Sequence, residues 1–292
     1  MNTRNAFREE GFSLVELMVA VAIGLLVVLV VTMAYVNATG TQRSQSDKSR
    51  VEESMRFALD SLSSAVRKAG YRNPAATGSA MKDFCGSDVR IDGVNSGTTT
   101  KLDPASSDLS GTSKTILNSS DVLRVRYHGE GQTLTPFTAD ASVLDCLGNS
   151  VGATTFAEDT FFVAADAANN NEPSLFCYTT NASASGSVAI VPGVESLQIM
   201  YGEDSNGDGV IERFVDRGSV ANLNRVRSVM LSVVARSASS SGVDKAAQTF
   251  IHFKAGSVTP TDSANSFTSP ADGRVRELSG TTTALKNICA AR

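Results

Sequence analysis

Between Phe12 and Val36 the chain runs for 25 residues with a single charged side chain, Glu16. From Leu17 to Val31 no side chain is charged or polar. As a helix this stretch reaches about 37 Å, enough to cross the hydrocarbon core of a bilayer. Such a run cannot sit half-exposed on a soluble domain, so it must be covered by lipid or by other helices. The remainder of the 292 residues is polar enough to bring the mean hydropathy down to −0.04. One greasy segment is therefore averaged with a water-soluble remainder.

Three readings of this segment compete. An ordinary secretory signal has a basic start and a short apolar core. Val36-Asn37-Ala38 would serve as its cleavage site, but the run is longer than the usual 7–15 residues and Glu16 stands near its start. A plain anchor accounts for the length but not for the carboxylate, which costs roughly 2.5–3.5 kcal/mol in a membrane helix and so calls for a partner. The third reading covers both. Gly11-Phe12-Ser13-Leu14-Val15-Glu16-Leu17 resembles the class III signal peptide of type IV pilins and pseudopilins.

That resemblance implies several expectations. Residues 1–11 are a leader that a prepilin peptidase removes between Gly11 and Phe12, and Phe12 is then N-methylated. Residues 12–36 are the transmembrane and filament-core part of a helix. Glu16 becomes the fifth residue of the mature chain and pairs with the Phe12 amine, because a buried amine and a buried carboxylate each need a counter-charge. The leader carries Arg4 and Arg8 together with Glu9 and Glu10, and the helix has no proline, only Gly24 and Gly40 as points of give.

Beyond the polar stretch Gly40–Arg50, the residues Val51, Met55, Ala58, Leu59, Leu62, Ala65, Val66 and Ala69 recur at spacings of three and four. Glu52, Glu53, Arg56, Asp60, Arg67 and Lys68 fall mostly off that stripe. The pattern predicts an amphipathic helix over 37–70 with one face on a core. Gly70 is its expected C-cap and Asn73-Pro74 its stop.

Residues 71–292 form the expected globular head. The stretch Pro74–Leu117 reads as loop-rich and partly disordered. Strands are predicted at Val122–His128, Thr160–Ala165, Ser174–Thr179, Ser187–Val191, Val194–Tyr201, Val210–Val215, Arg225–Arg236 and Gln248–Lys254, in one or two antiparallel sheets. The fold class is α+β, a long N-terminal helix on an antiparallel β head. The order of head motifs resembles the PilW family of minor type IV pilins: Ser120-Asp121-Val122-Leu123, Asp145-Cys146-Leu147-Gly148, Ser174-Leu175-Phe176-Cys177, Val194 to Gly202, then Asp204 to Gly209.

The resemblance implies a minor pilin, stored in the inner membrane with a periplasmic head and built into an extracellular pilus. Its implied partners are the major pilin, other minor pilins, the assembly platform and a tip adhesin. The nearest rival is a J-type pseudopilin of a type II secretion system; an anchored periplasmic enzyme or binding module is a third reading.

A net charge of −4 without a basic run argues against nucleic acid as a partner. Only His128 and His252 could act as imidazole bases, no familiar catalytic motif is present, and both read as structural, His128 at a strand edge. No cofactor is expected, with calcium as the one open alternative. In an oxidising compartment Cys85, Cys146, Cys177 and Cys289 allow three pairings. Cys146–Cys177 is the favoured one, with Cys85–Cys289 to follow, and free thiols are the alternative. Asp204, Asn206 and Asp208 match the first ligand positions of an EF-hand loop, with Gly209 at its turn and Glu212 at position nine. Position twelve would be Val215, so the same stretch also reads as a plain hairpin turn at Asn-Gly and Asp-Gly.

Overall fold

The computed structural model describes residues 11, 13–74, 76, 83–84, 88–95, 101–102, 114–131, 139–181, 186–240, 245–253 and 265–288. The chain divides into two compact units, 1–46 and 47–292. Helix α1 spans Leu14–Lys68. It opens at Ser13, whose hydroxyl accepts the Glu16 amide at 3.2 Å. Ser13 and Glu16 thus hold the N-cap and N3 places of a capping box, and the acid sits at the positive end of the helix dipole.

In the first unit the apolar side chains of α1 stand exposed, from Leu14 at 74% to Leu29 at 51%. The helix is apolar all round here, and it is long and apolar enough to cross a membrane.

In the second unit α1 is amphipathic. All eight residues of the predicted stripe are buried, while Phe57 on the opposite side is 56% exposed. The helix stops at the expected place. Gly70 adopts φ +74°, which a side chain would strain, and its amide donates to the Arg126 carbonyl at 2.8 Å.

The strands of this unit are β1 (Ile91–Val94), β2 (Lys101–Leu102), β3 (Lys114–Thr115), β4 (Val122–His128), β5 (Phe156–Asp166), β6 (Glu172–Thr179) and β7 (Gly186–Pro192). They continue with β8 (Val194–Glu203), β9 (Arg213–Val215), β10 (Val226–Ser240), β11 (Thr249–Ile251), β12 (Ser266–Thr268) and β13 (Arg274–Ala284). Two antiparallel sheets dominate, with strand orders β1-β4-β5-β6-β7 and β13-β10-β8-β9; β2 pairs with β3 and β11 with β12. One core serves all layers. Ala58, Leu62, Ala65 and Val66 of α1 share it with Leu123 and Val125 of the first sheet and with Leu197, Val229 and Val233 of the second.

The α+β class holds, and several boundaries move. Pro74–Leu117 contains β1, β2 and β3, short strands that its glycine-rich composition hides; much of the remainder lies outside the described residues. The strand expected from Val210 begins at Arg213, because Asp208 and Glu212 serve the preceding loop. His128 is the last residue of β4, beyond the reach of β1, where its amide donates to the Tyr71 carbonyl; the ring is fully buried with Nδ1 3.0 Å from the Thr155 carbonyl. The largest unforeseen element is β13. Its run of Ser, Gly and three Thr has no apolar alternation, yet it pairs along most of β10.

Candidate assembly site and polar clusters of the head

The sequence singled out Gly11, Phe12 and Glu16 for processing and assembly. Phe12 lies outside the described residues, Gly11 is exposed, and Glu16 is exposed in the first turn of α1. The capping arrangement at Ser13 places Glu16 in the first turn of the helix, four residues along the chain from the residue that would carry a new amine after cleavage.

The structure joins Cys146 to Cys177 across 31 residues, with 6.4 Å between their Cα atoms. Cys85 and Cys289 lie outside the described residues. Cys177 belongs to β6. Cys146 sits in a loop that Asp145 organises: its carboxylate accepts the amides of Leu147 at 2.9 Å and Asn149 at 2.8 Å, and the Asn181 side chain at 3.0 Å. In the chain-entropy picture a bridge closing such a loop contributes about 3–4 kcal/mol.

Asp204–Glu212 forms the hairpin between β8 and β9. Gly207 and Gly209 take φ of +86° and +95°, which explains the two Asx-Gly dipeptides. Carboxylate oxygens of Asp204, Asp208 and Glu212 come within 4.8 Å of one another. Each is already engaged. Asp204 is buried and accepts Arg227 through Nη2 at 2.8 Å and Nε at 3.0 Å, together with the amides of Gly207 and Gly209. Burial works against ionisation there, but the Arg227 guanidinium and the two amides win and hold the carboxyl below its ordinary value. Asp208 accepts the Val210 amide, and Glu212 the amide and hydroxyl of Ser205. Val215, at position twelve, is buried in β9 and has no side-chain oxygen. The Arg227 guanidinium thus already supplies Asp204 with a counter-charge.

Sequence reasoning missed an ion-pair network at one end of the two sheets. Arg236 and Arg276 face each other directly across β10 and β13. Like charges so placed repel, and carboxylates resolve it. Arg236 forks to Glu172 at 2.8 Å and Glu195 at 3.0 Å; Arg276 reaches Glu195 and Asp272, both at 2.7 Å. Hydrogen bonds from Arg276 hold the Asp272 carboxyl down at about 2. Burial opposes ionisation of Glu172, but Arg236 and Arg274 still lower it. Glu172 begins β6 of the first sheet while Arg236 belongs to the second, so the network ties the two sheets together. The members lie up to about a hundred residues apart, and no local spacing announces them.

His252 follows β11 and is buried between two hydroxyls, Ser196 at 3.0 Å from Nε2 and Ser232 at 2.9 Å from Nδ1. Burial lowers its pKa to about 4, so the ring is neutral at physiological pH. It is a satisfied structural group.

Two family models match the chain. The prokaryotic N-terminal methylation motif covers residues 7–32, and the type IV pilus-assembly protein W family, PilW, covers residues 160–287. No curated relative matches it. Among solved structures, a type IV-like pilin from Thermus thermophilus is similar over 83% of this chain and 100% of its own, at 12% identity and a TM-score of 0.42. A methylation motif ahead of a membrane-length helix, followed by an antiparallel head, defines a membrane-anchored protein of the type IV pilin class. Within that class the head carries the finer likeness: over residues 160–287 the chain matches the PilW family of type IV pilus-assembly proteins.

Proposed function

We propose that this protein is a minor pilin, a scarce subunit at the filament tip, where it primes assembly together with other minor pilins. The observation that carries the reading is the PilW match on a head of 222 residues, from Tyr71 to Arg292. A shaft repeats one heterologous contact indefinitely, so every subunit must fit between its neighbours. A bulky head is unconstrained only at an end. Residues 1–11 act as the leader, 12–36 as the membrane and filament-core segment, 37–70 as the amphipathic half of the helix, and 71–292 as the head. The prepilin peptidase cuts between Gly11 and Phe12, Phe12 is methylated, and Glu16 pairs with a Phe12 amine as the subunit joins the bundle. The head waits in the periplasm and leaves with the pilus through the assembly platform, meeting the major pilin and a tip adhesin. The Asp204 loop works as a turn, since its carboxylates are already satisfied by Arg227 and by local amides.

Deletion of the gene tests this. The number of surface pili should fall sharply while the membrane pool of major subunit holds steady, and gold labelling should mark filament ends. Labelling along the shaft in amounts near those of the major pilin overturns the tip placement. Normal pili with lost protein secretion would instead establish the J-type pseudopilin. Mass spectrometry of the mature protein should find methyl-Phe12 at the N-terminus; a start near Thr39 would remove the pilin-type processing.

A further inference from the structure

The Cys146–Cys177 bridge stands beside an acid. Cys177 is fully buried, whereas Cys146 is half-buried and lines a cavity of about 700 Å³ with Lys68, Tyr71 and Asp145. A carboxylate oxygen of Asp159 on β5 lies within 4.8 Å of both sulfurs. Asp159 is itself fully buried, and its Oδ1 has no hydrogen-bond partner of good geometry among the described residues. Its Oδ2 accepts the Tyr127 hydroxyl at 2.7 Å and lies 3.4 Å from Lys68 Nζ, which sits over the Tyr127 ring. A disulfide needs no such neighbour for stability, and a buried carboxyl carries a cost. The arrangement does suit exchange chemistry.

We propose that Cys146–Cys177 is a thiol–disulfide exchange site, whose substrate is a thiol that enters through this cavity onto Cys146, with Asp159 as proton donor and acceptor for Cys177. In reduction, the incoming thiolate forms a bond to Cys146 Sγ. The bond between the two cysteines breaks, and its electron pair leaves on Cys177 Sγ. A thiolate buried in apolar surroundings is a poor leaving group, so Asp159 transfers its proton to that sulfur and becomes a carboxylate. In oxidation the same steps run backwards. The carboxylate takes the Cys177 proton, Cys177 attacks the mixed disulfide on Cys146, and the external thiolate departs.

The groups facing Asp159 are Lys68 from α1, Tyr127 from β4, Asp145 from the adjoining loop and Thr179 from β6. Burial raises its carboxyl above the ordinary range, Asp145 adds to that, and Lys68, Tyr127 and Thr179 pull the other way. The acid form therefore persists to higher pH than for a solvated aspartate.

The test uses the full chain in detergent with glutathione, and follows only the peptides that carry Cys146 and Cys177 by alkylation and mass spectrometry. The wild-type rate per glutathione thiolate should fall as pH rises through the folded pKa of Asp159. Asp159→Asn should be slower by about tenfold or more on the acid side and should lose this pH dependence. Lys68→Met removes the cation that favours the carboxylate, so the midpoint should move to higher pH. The first glutathione adduct should form on Cys146. A flat wild-type profile, an unchanged rate in Asp159→Asn, or a first adduct on Cys177 would each overturn the proposal. Should Asp159→Asn not fold, the direction of the Lys68→Met shift decides alone.

Discussion

The two parts of α1 are made from one continuous helix and follow opposite rules. From Leu14 to Val36 its side chains are apolar on every face and all are exposed within their unit. From Val51 to Ala69 they are apolar on one stripe only, and that stripe is buried against two sheets. Helix propensity is adequate in both, so it cannot be what distinguishes them. The distribution of apolar residues around the axis does: a full circle demands lipid or other helices, and a stripe demands a core. The charges obey the same division. Glu16 is the lone carboxylate of the first part, whereas Lys48, Glu52 and Lys68 of the second meet partners within the head unit.

The largest expected effect breaks the first part alone. Glu16→Ala should insert in the membrane as well as wild type and be strongly depleted from filaments. Because Glu16 also fills the N3 place of a capping box, Glu16→Gln sharpens the result: glutamine can cap but cannot neutralise an amine. Pilus fractions containing Glu16→Gln at wild-type levels would show that the capping role matters and the charge does not.

Next comes Leu62→Ala, which opens a cavity where the stripe meets the sheets. It should lower head stability by about 2–5 kcal/mol in full-length protein held in detergent, whereas Val27→Ala in the exposed stretch should leave the head's melting unchanged. Equal losses in the two variants would erase the distinction between the halves. The double variant Cys146→Ser with Cys177→Ser should cost about 3–4 kcal/mol on the same scale, and denaturant melts against wild type would read it.

A smaller effect concerns pH. The folded state holds His252 at about 4, below its ordinary value of 6.5. The unfolded chain therefore takes up the proton first, and the stability present above 6.5 is lost as pH falls from there towards 4. His252→Gln should flatten melting curves in that window while leaving in place the further loss as pH falls from 3.8 to about 2, over which Asp272 takes up its proton on unfolding. The smallest expected effect is none. Calcium and chelator should give the same melting temperature, since Arg227 already neutralises Asp204. A calcium-dependent rise that disappears in Asp208→Ala would convert the turn into a cation site.

What could be read without coordinates was local. Gly11, Phe12 and Glu16 are consecutive enough that their spacing is their meaning, and the stripe from Val51 to Ala69 needs only the helical period to be seen. The buried strand cores around Val122–His128 and Val194–Tyr201 carry their own apolar density. Each of these features is set by interactions within a few residues or by one face turning towards a core.

Tertiary structure alone decided the rest. Four cysteines permit three pairings; the sequence favoured Cys146–Cys177, and the placing of the Asp145 loop against β6 is what brings those two together. Arg236 and Arg276 lie far apart in the sequence, and only the pairing of β10 with β13 sets them side by side with Glu195 between them. β13 itself has no apolar period to betray it, because its pairing with β10 is held by backbone hydrogen bonds that any residue can make. Asp204 resembled a metal ligand because its neighbours in sequence did, and Arg227, some twenty residues away, arrives only through the pairing of β10 with β8. Periodicity records which way a segment faces. Which distant charge or sulfur it meets there depends on strand register and loop placement, and those are properties of the whole fold.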